Sequence, residues 1–334
     1  MVNYLQNILS IPSLYRFYKR NSDVQKKFLL ETIYVDLAKF RAENDGSLTE
    51  KDFKKITDYY ALAIPAFLGE GYCLLRGFGL TKEERYALTY VGSLTSLFDD
   101  FFDENPVSAQ HIRQIIAADD DSPAKNSREK LFWHLSQKAL HHTEDKELLL
   151  SFVDKIFEAQ TESLKQKSDN LKIDEIEHIT LEKGGVSMLF YSSVFGQPDS
   201  EIEYQLRYLL GGMAQLENDV FDIYRDRDQG IRTLATTAMK MEDLRNLYTE
   251  HTKRIFSLIR QLEFPKSNKI RFLRFVAYII SRAFVCFDFL EKNEKQSGGK
   301  FLLHQYDRKQ LVCDMEKISN QLLHFHYFAR ICSM

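Results

Sequence analysis

The stretch TKEERYALTYVGSLTSLFDDFFDEN (residues 81–105) opens with Thr81 three residues before Glu84, the spacing of a capping box, and continues at helical periodicity into a run of acidic side chains. Asp99 and Asp103 are four residues apart and Asp100 lies three before Asp103, so the three carboxylates cluster within little more than one turn. Carboxylates this close repel one another unless a cation sits among them. Phe98, Phe101 and Phe102 are interleaved with the charges, which predicts a partly buried, lined site rather than a solvated helix end.

The rest of the chain agrees with a helical reading. Its 334 residues hold only 14 Gly and 6 Pro, about 6% together against roughly 12% in an average globular protein. Helical patterns recur throughout, with breaks expected near residues 44–47, 69–79, 105–108, 119–127, 168–172, 196–200, 229–232, 265–269 and 296–300. None of these resembles an interdomain linker, and neither repeats nor alternating strand series occur, so one all-α domain over residues 1–334 is expected. A net charge of -3 provides no basic footprint for nucleic acid. The longest apolar stretch, residues 272–289, is interrupted by Arg274, Arg282 and Asp288, so no stable membrane insertion is expected. The amino terminus lacks the features of a secretion signal, and a cytoplasmic protein with four reduced, buried cysteines follows as an expectation. Aromatic residues make up 13%, with 25 Phe, 17 Tyr and one Trp, enough to fill a core or to line a cavity that faces cations.

A second acidic cluster lies in GGMAQLENDVFDIYRDRDQG (residues 211–230). Asn218, Asp222 and Asp226 follow at intervals of four, lining one helix face with oxygen donors of the kind that suit Mg²⁺, and Asp219 lies three before Asp222. Arg225, seven after Asn218, falls near the same face, where a phosphate oxygen is one partner and the neighbouring carboxylates are the other. Behind the two clusters the helix faces carry small side chains, Thr95 and Gly92 in one case and Ala214 and Gly211 in the other. Small residues there leave space that becomes an apolar pocket if the acidic ends lie together at its mouth.

These residues carry a resemblance. Asp99-Asp-Phe-Phe-Asp103 resembles the DDxxD motif of class I isoprenoid synthases, and Asn218-Asp-Val-Phe-Asp222-Ile-Tyr-Arg-Asp226 resembles the NDxxSxxxE motif of their terpene synthase branch, with Asp222 in place of Ser or Thr and Asp226 in place of Glu. Gln215-x-x-Asn218-Asp219-x-x-Asp222 is also similar to the second acidic motif of trans-prenyl diphosphate synthases, and Lys183-Gly184-Gly185 resembles their helix-break lysine. Asn105-Pro-Val-Ser-Ala-Gln stands where that branch has a basic run. Asp222 and Asp226, followed by Gly230-Ile-Arg-Thr-Leu, fit one of the two motifs of squalene and phytoene synthases. By motif the resemblance covers residues 81–234.

The resemblance implies a helical bundle around an apolar cavity and a Mg²⁺-dependent lyase acting on farnesyl or geranylgeranyl diphosphate. It implies three metal ions, two at Asp99 and Asp103 with Asp100 beside them, and a third at Asn218, Asp222 and Asp226. Lys183 and Arg225 would bind diphosphate, and the break at Gly184 and Gly185 would expose backbone to the substrate. Gly92, Thr95, Phe98, Phe190, Tyr191, Gly211, Ala214 and Gln215 would contact the substrate, and Tyr306 with Arg308 would close over it. The small rows, with no aromatic ring at Leu94 or Thr95, predict that the twenty-carbon substrate is accepted at least as well as the fifteen-carbon one. The alternatives are a prenyltransferase that couples two isoprenoid units and a non-catalytic helical interaction module; homodimerisation stays open.

Overall fold

Thr81 caps a helix as its spacing predicts. Its Oγ1 accepts the Glu84 N–H (3.2 Å), the Glu84 carboxylate accepts the Thr81 N–H (2.7 Å), and the helix Lys82–Asp103 follows. The computed structural model describes residues 3–103, 107–198 and 200–333, with the Asp103 side chain outside that description. The chain is 80% helical and contains no strand among the described residues, so it is all-α. Most expected breaks separate consecutive helices. The stretch 69–79 is instead largely helix, Glu70–Arg76, closed by Gly77 at φ 88°, a left-handed conformation that glycine adopts without steric cost. In the break expected at 105–108, residues 105 and 106 lie outside the described set.

Internal contacts divide the chain into two compact units. One comprises Met1–Leu14, Thr161–Leu189 and Pro198–Met334; the other comprises Tyr15–Gln160 and Phe190–Gln197.

In the second of these, the Lys82–Asp103 helix packs most extensively against the helix Ser127–His142. Leu88, Val91 and Leu97 of the first and Leu131 and Leu135 of the second are fully buried, and the Phe101 and Phe132 rings cross edge-to-face at 5.1 Å. Each such side chain contributes about 2 kcal/mol by leaving water. Beside them the helical run from Glu50 to Arg76 widens into two π-helical stretches, Lys55–Tyr60 and Ile64–Gly69. Pro65 sits near the start of the second, where its missing N–H cannot complete an α-helical turn. Gly92 lets this run approach closely, because a Cβ there would lie 2.9 Å from the Tyr60 carbonyl oxygen and 3.2 Å from the Ile64 side chain.

The other unit is built on the helix Ile173–Ser192 as far as Leu189 and on the helices Glu201–Phe221, Met241–Gln261, Lys266–Gln296 and Ile318–Ile331. Tyr248, Phe284 and Phe287 form an aromatic knot with centroids 5.4–6.1 Å apart, and the buried Tyr248 hydroxyl donates to the Ile280 carbonyl at 3.2 Å. The expected break at Lys183-Gly184-Gly185 does not occur: Ile173–Ser192 is one uninterrupted α-helix. Its glycines serve a close helix crossing instead. A Cβ on Gly184 would overlap the Gly211 carbonyl, a Cβ on Gly211 would overlap that of Gly184, and the Tyr208 ring lies against Gly185. Two helical glycines cost about 2 kcal/mol in propensity, and the near contact of the two backbones offsets it. All four cysteines are free and buried.

Candidate carboxylate site

The Glu201–Phe221 helix ends at Asp222, and a short helix, Ile223–Asp228, continues its line. The junction preserves the spacing of the acidic row, since the Asp222 N–H donates to the Asn218 carbonyl (2.8 Å) and the Asp226 N–H donates to that of Asp222 (2.9 Å). Gly230, at φ 67°, then turns the chain so that the Ile231 N–H reaches back to the Asp226 carbonyl (2.8 Å). Asp226 is thereby fixed from both sides.

The electrostatics of this row are uneven. Asp219 is buried and held by the Thr180 hydroxyl (3.1 Å) and the Gln215 amide (2.9 Å), yet burial pushes its carboxyl up to about 6 against these bonds. Asp226 is only 5% exposed and is pushed up to about 7, first by burial and then by repulsion from Asp219 and Asp222, with Arg225 and Lys183 opposing. Arg225 is exposed and pairs with Asp222 at 2.6 Å, while its Nε lies 3.8 Å from Asp226. The salt-bridged alternative for Arg225 is therefore present. Asn218 and Ala214 are exposed on the same helix, and the Asn218 amide has no protein partner among the described residues. The structure thus brings Asn218, Asp219, Asp222, Asp226, Arg225 and Lys183 together within one unit.

In the other unit, the first cluster is held by the π-helical turn. Tyr60 donates to one Asp99 oxygen at 2.9 Å and Gln160 donates to the other at 2.8 Å. Tyr191 donates to the Thr95 hydroxyl at 3.0 Å, one turn before Asp99, and the Phe190 ring lies 5.9 Å from that of Tyr191. Thr95 and Tyr191 therefore lie near Asp99, and burial together with the Asp99 charge pushes the Tyr60 hydroxyl far above its ordinary range. Phe98 is buried against the Phe102 and Phe132 rings.

Asp100 departs from expectation. It is buried with one oxygen on Lys55 (2.9 Å) and the other on Arg128 (2.8 Å), and Arg128 also pairs with Asp52 at 3.0 Å. With both oxygens bound to cations, Asp100 is an anchor of the fold rather than a metal ligand. The Asp103 side chain lies outside the described residues.

Four further expectations are corrected. Gly92 leaves no space beside its helix, because Tyr60 and Ile64 fill it, and Gly184, Gly185 and Gly211 are consumed by helix contacts. Tyr306 is not a mobile lid: it is 5% exposed, and its hydroxyl donates to Ser297 (2.9 Å) and accepts the Leu302 N–H (3.3 Å). Arg308 is exposed at the start of a short helix, Arg308–Leu311. What secures this loop is Arg227, whose guanidinium donates to the Tyr306 carbonyl at 2.6 Å and stacks on Tyr224. Lys55, Tyr60, Thr180 and Gln160 escaped the sequence reading because each comes from a remote segment. Lys55 and Tyr60 are also five apart, a spacing that shares a face only on a π-helix.

No family model matches the chain, and neither a curated protein nor a solved structure matches it. Among the described residues no group of three or more His, Cys, Asp and Glu side chains stands close enough to hold a metal ion. Asn218, Asp222 and Asp226 place an amide and two carboxylates at intervals of four, hard-oxygen donors by their chemistry.

Proposed function

We propose that this chain is a Mg²⁺-dependent class I terpene synthase that ionises farnesyl or geranylgeranyl diphosphate and releases a terpene hydrocarbon or alcohol. The observation that carries the reading is the row of Asp219, Asp222 and Asp226 beside Lys183 and Arg225, with the Asp226 carboxyl pushed up to about 7 by burial and by its acidic neighbours. A carboxylate set under this strain, flanked by two cations, is suited to a metal and a polyanion together.

When bound, Mg²⁺ would stabilise the departing diphosphate as the C–O bond breaks. Asn218, Asp222 and Asp226 would supply its protein oxygens in the second motif, and Asp99 with Asp103 would offer the same kind of donor in the first. Thr180 and Gln215 hold Asp219 so that it stands behind this row. Arg225 would exchange its contact with Asp222 for a diphosphate oxygen, and Lys183 would provide a second positive charge. Tyr191 and Tyr60 would fix the Asp99 surroundings through Thr95 and the carboxylate itself.

Incubation of the purified chain with each prenyl diphosphate and Mg²⁺, followed by gas chromatography and mass spectrometry, separates the readings. A product with the carbon count of one substrate supports a terpene synthase. A product combining two isoprenoid units supports the prenyltransferase, and a protein that consumes neither substrate supports the interaction module.

A further inference from the structure

The Tyr15–Gln160 unit contains a cavity of about 630 Å³ between the helices Ile33–Ala42 and Ser127–His142, lined by no residue of either acidic motif. This is within the range of small-molecule sites. Asp36, Lys39, Phe40 and Glu43 line one wall at helical spacing, and Lys130, Trp133 and His134 line the other. Trp133 is the single tryptophan of the chain, and its indole is fixed by donation to the Ala118 carbonyl at 3.1 Å. Phe40 lies 5.4 Å from the His134 ring, so the cavity offers oriented ring faces.

Its lining sets four carboxylates, Asp36, Glu43, Asp45 and Asp121, against three ammonium groups, Lys39, Lys125 and Lys130, and most of these do not pair with one another. Asp36 accepts the Tyr90 hydroxyl (3.0 Å) and leans on His134 (3.2 Å). Asp45 is consumed by the Ser47 and Ser127 N–H groups (3.0 Å each), and Asp121 pairs with Lys130 (3.3 Å). Among the described residues this leaves Lys39 and Lys125 with no carboxylate partner and Glu43 with no cation. Two unpaired ammonium groups suit a phosphate, fixed aromatic rings suit a planar base, and a lone carboxylate suits sugar hydroxyls.

We infer that this cavity binds a nucleoside monophosphate, with the phosphate at Lys39 and Lys125, the base against Trp133, and a ribose hydroxyl at Glu43. The site is separate in residues and chemistry from the carboxylate motifs.

The test titrates the full chain with adenosine 5′-monophosphate in EDTA, by calorimetry and by the fluorescence of Trp133, with adenosine and inorganic diphosphate as partial ligands. The inference predicts one site that quenches Trp133, weaker binding of both partial ligands, and affinity about fivefold lower in each of Lys39→Ala and Lys125→Ala, the worth of one exposed ion pair. Both lysines are exposed, so these variants retain the fold, which circular dichroism verifies. Absence of heat and quenching, binding without change in Trp133 fluorescence, or equal affinity in both lysine variants would overturn it.

Discussion

Single residues carry the sharpest consequences. Gly184 and Gly211 each leave room for the other's carbonyl, so Gly184→Ala or Gly211→Ala should destabilise the chain by about 1–3 kcal/mol, the usual cost of overpacking, as read by urea denaturation. Gly92→Phe should likewise lower stability without changing substrate-length preference, because the added ring would meet Tyr60 and Ile64 rather than open space. The sequence reading takes these glycines as space for substrate, whereas they admit neighbouring helices; both kinds of gap leave the same pattern of small residues. Asp226 gives a pH prediction. Its folded carboxyl stands near 7 against an ordinary 3.8, so the folded state binds the extra proton between these values. The resulting stability is fully present below 3.8 and is lost as pH rises through 7. In EDTA, Tm should therefore fall between pH 5 and 8, and Asp226→Asn should flatten that fall and raise Tm at pH 8 by about 2–4 °C. Mg²⁺ should restore the wild type at pH 8; an unchanged slope in the variant would assign the loss to other groups.

Among the elements, the long helices were legible because caps and periodicity are local: the Thr81–Glu84 box formed as spaced, and Asn218, Asp222 and Asp226 kept their register across the joint at Asp222. The π-helical turns were not legible, because their cause lies in packing against Gly92 and in Pro65 rather than in a repeating pattern. Those turns matter to the first motif, since they supply Tyr60 to Asp99 and Lys55 to Asp100. Arg128 locks the same region by bridging Asp52 and Asp100, with all three side chains at most 10% exposed. Arg128→Ala would leave two buried carboxylates without that cation and should cost about 3–5 kcal/mol in chemical denaturation. Asp100→Asn should cost less, because the amide still accepts from Arg128. If Arg128→Ala were neutral, the reading of Asp100 as an anchor of the fold would fail, and its role as a metal ligand would return.

At the scale of the molecule, the all-α class followed from scarce Gly and Pro, and no helix among the described residues is long and apolar enough to cross a membrane. The two acidic motifs were legible as patterns, while the anchoring partners, Gln160, Thr180 and Arg128, come from segments that carry no acidic motif of their own. Motif spacing records what a helix face presents; it does not record which distant side chains hold that face in place. The central claim is that these carboxylates serve a Mg²⁺-dependent ionisation of a prenyl diphosphate. The most direct measurement is the rate of diphosphate release from geranylgeranyl diphosphate, with and without Mg²⁺, in the wild type, Asp99→Ala and Asn218→Ala. The account predicts release only with Mg²⁺ and a loss of at least about 100-fold in each variant, with helical circular dichroism retained. Release that persists in EDTA, or near-normal rates in both variants, would contradict it.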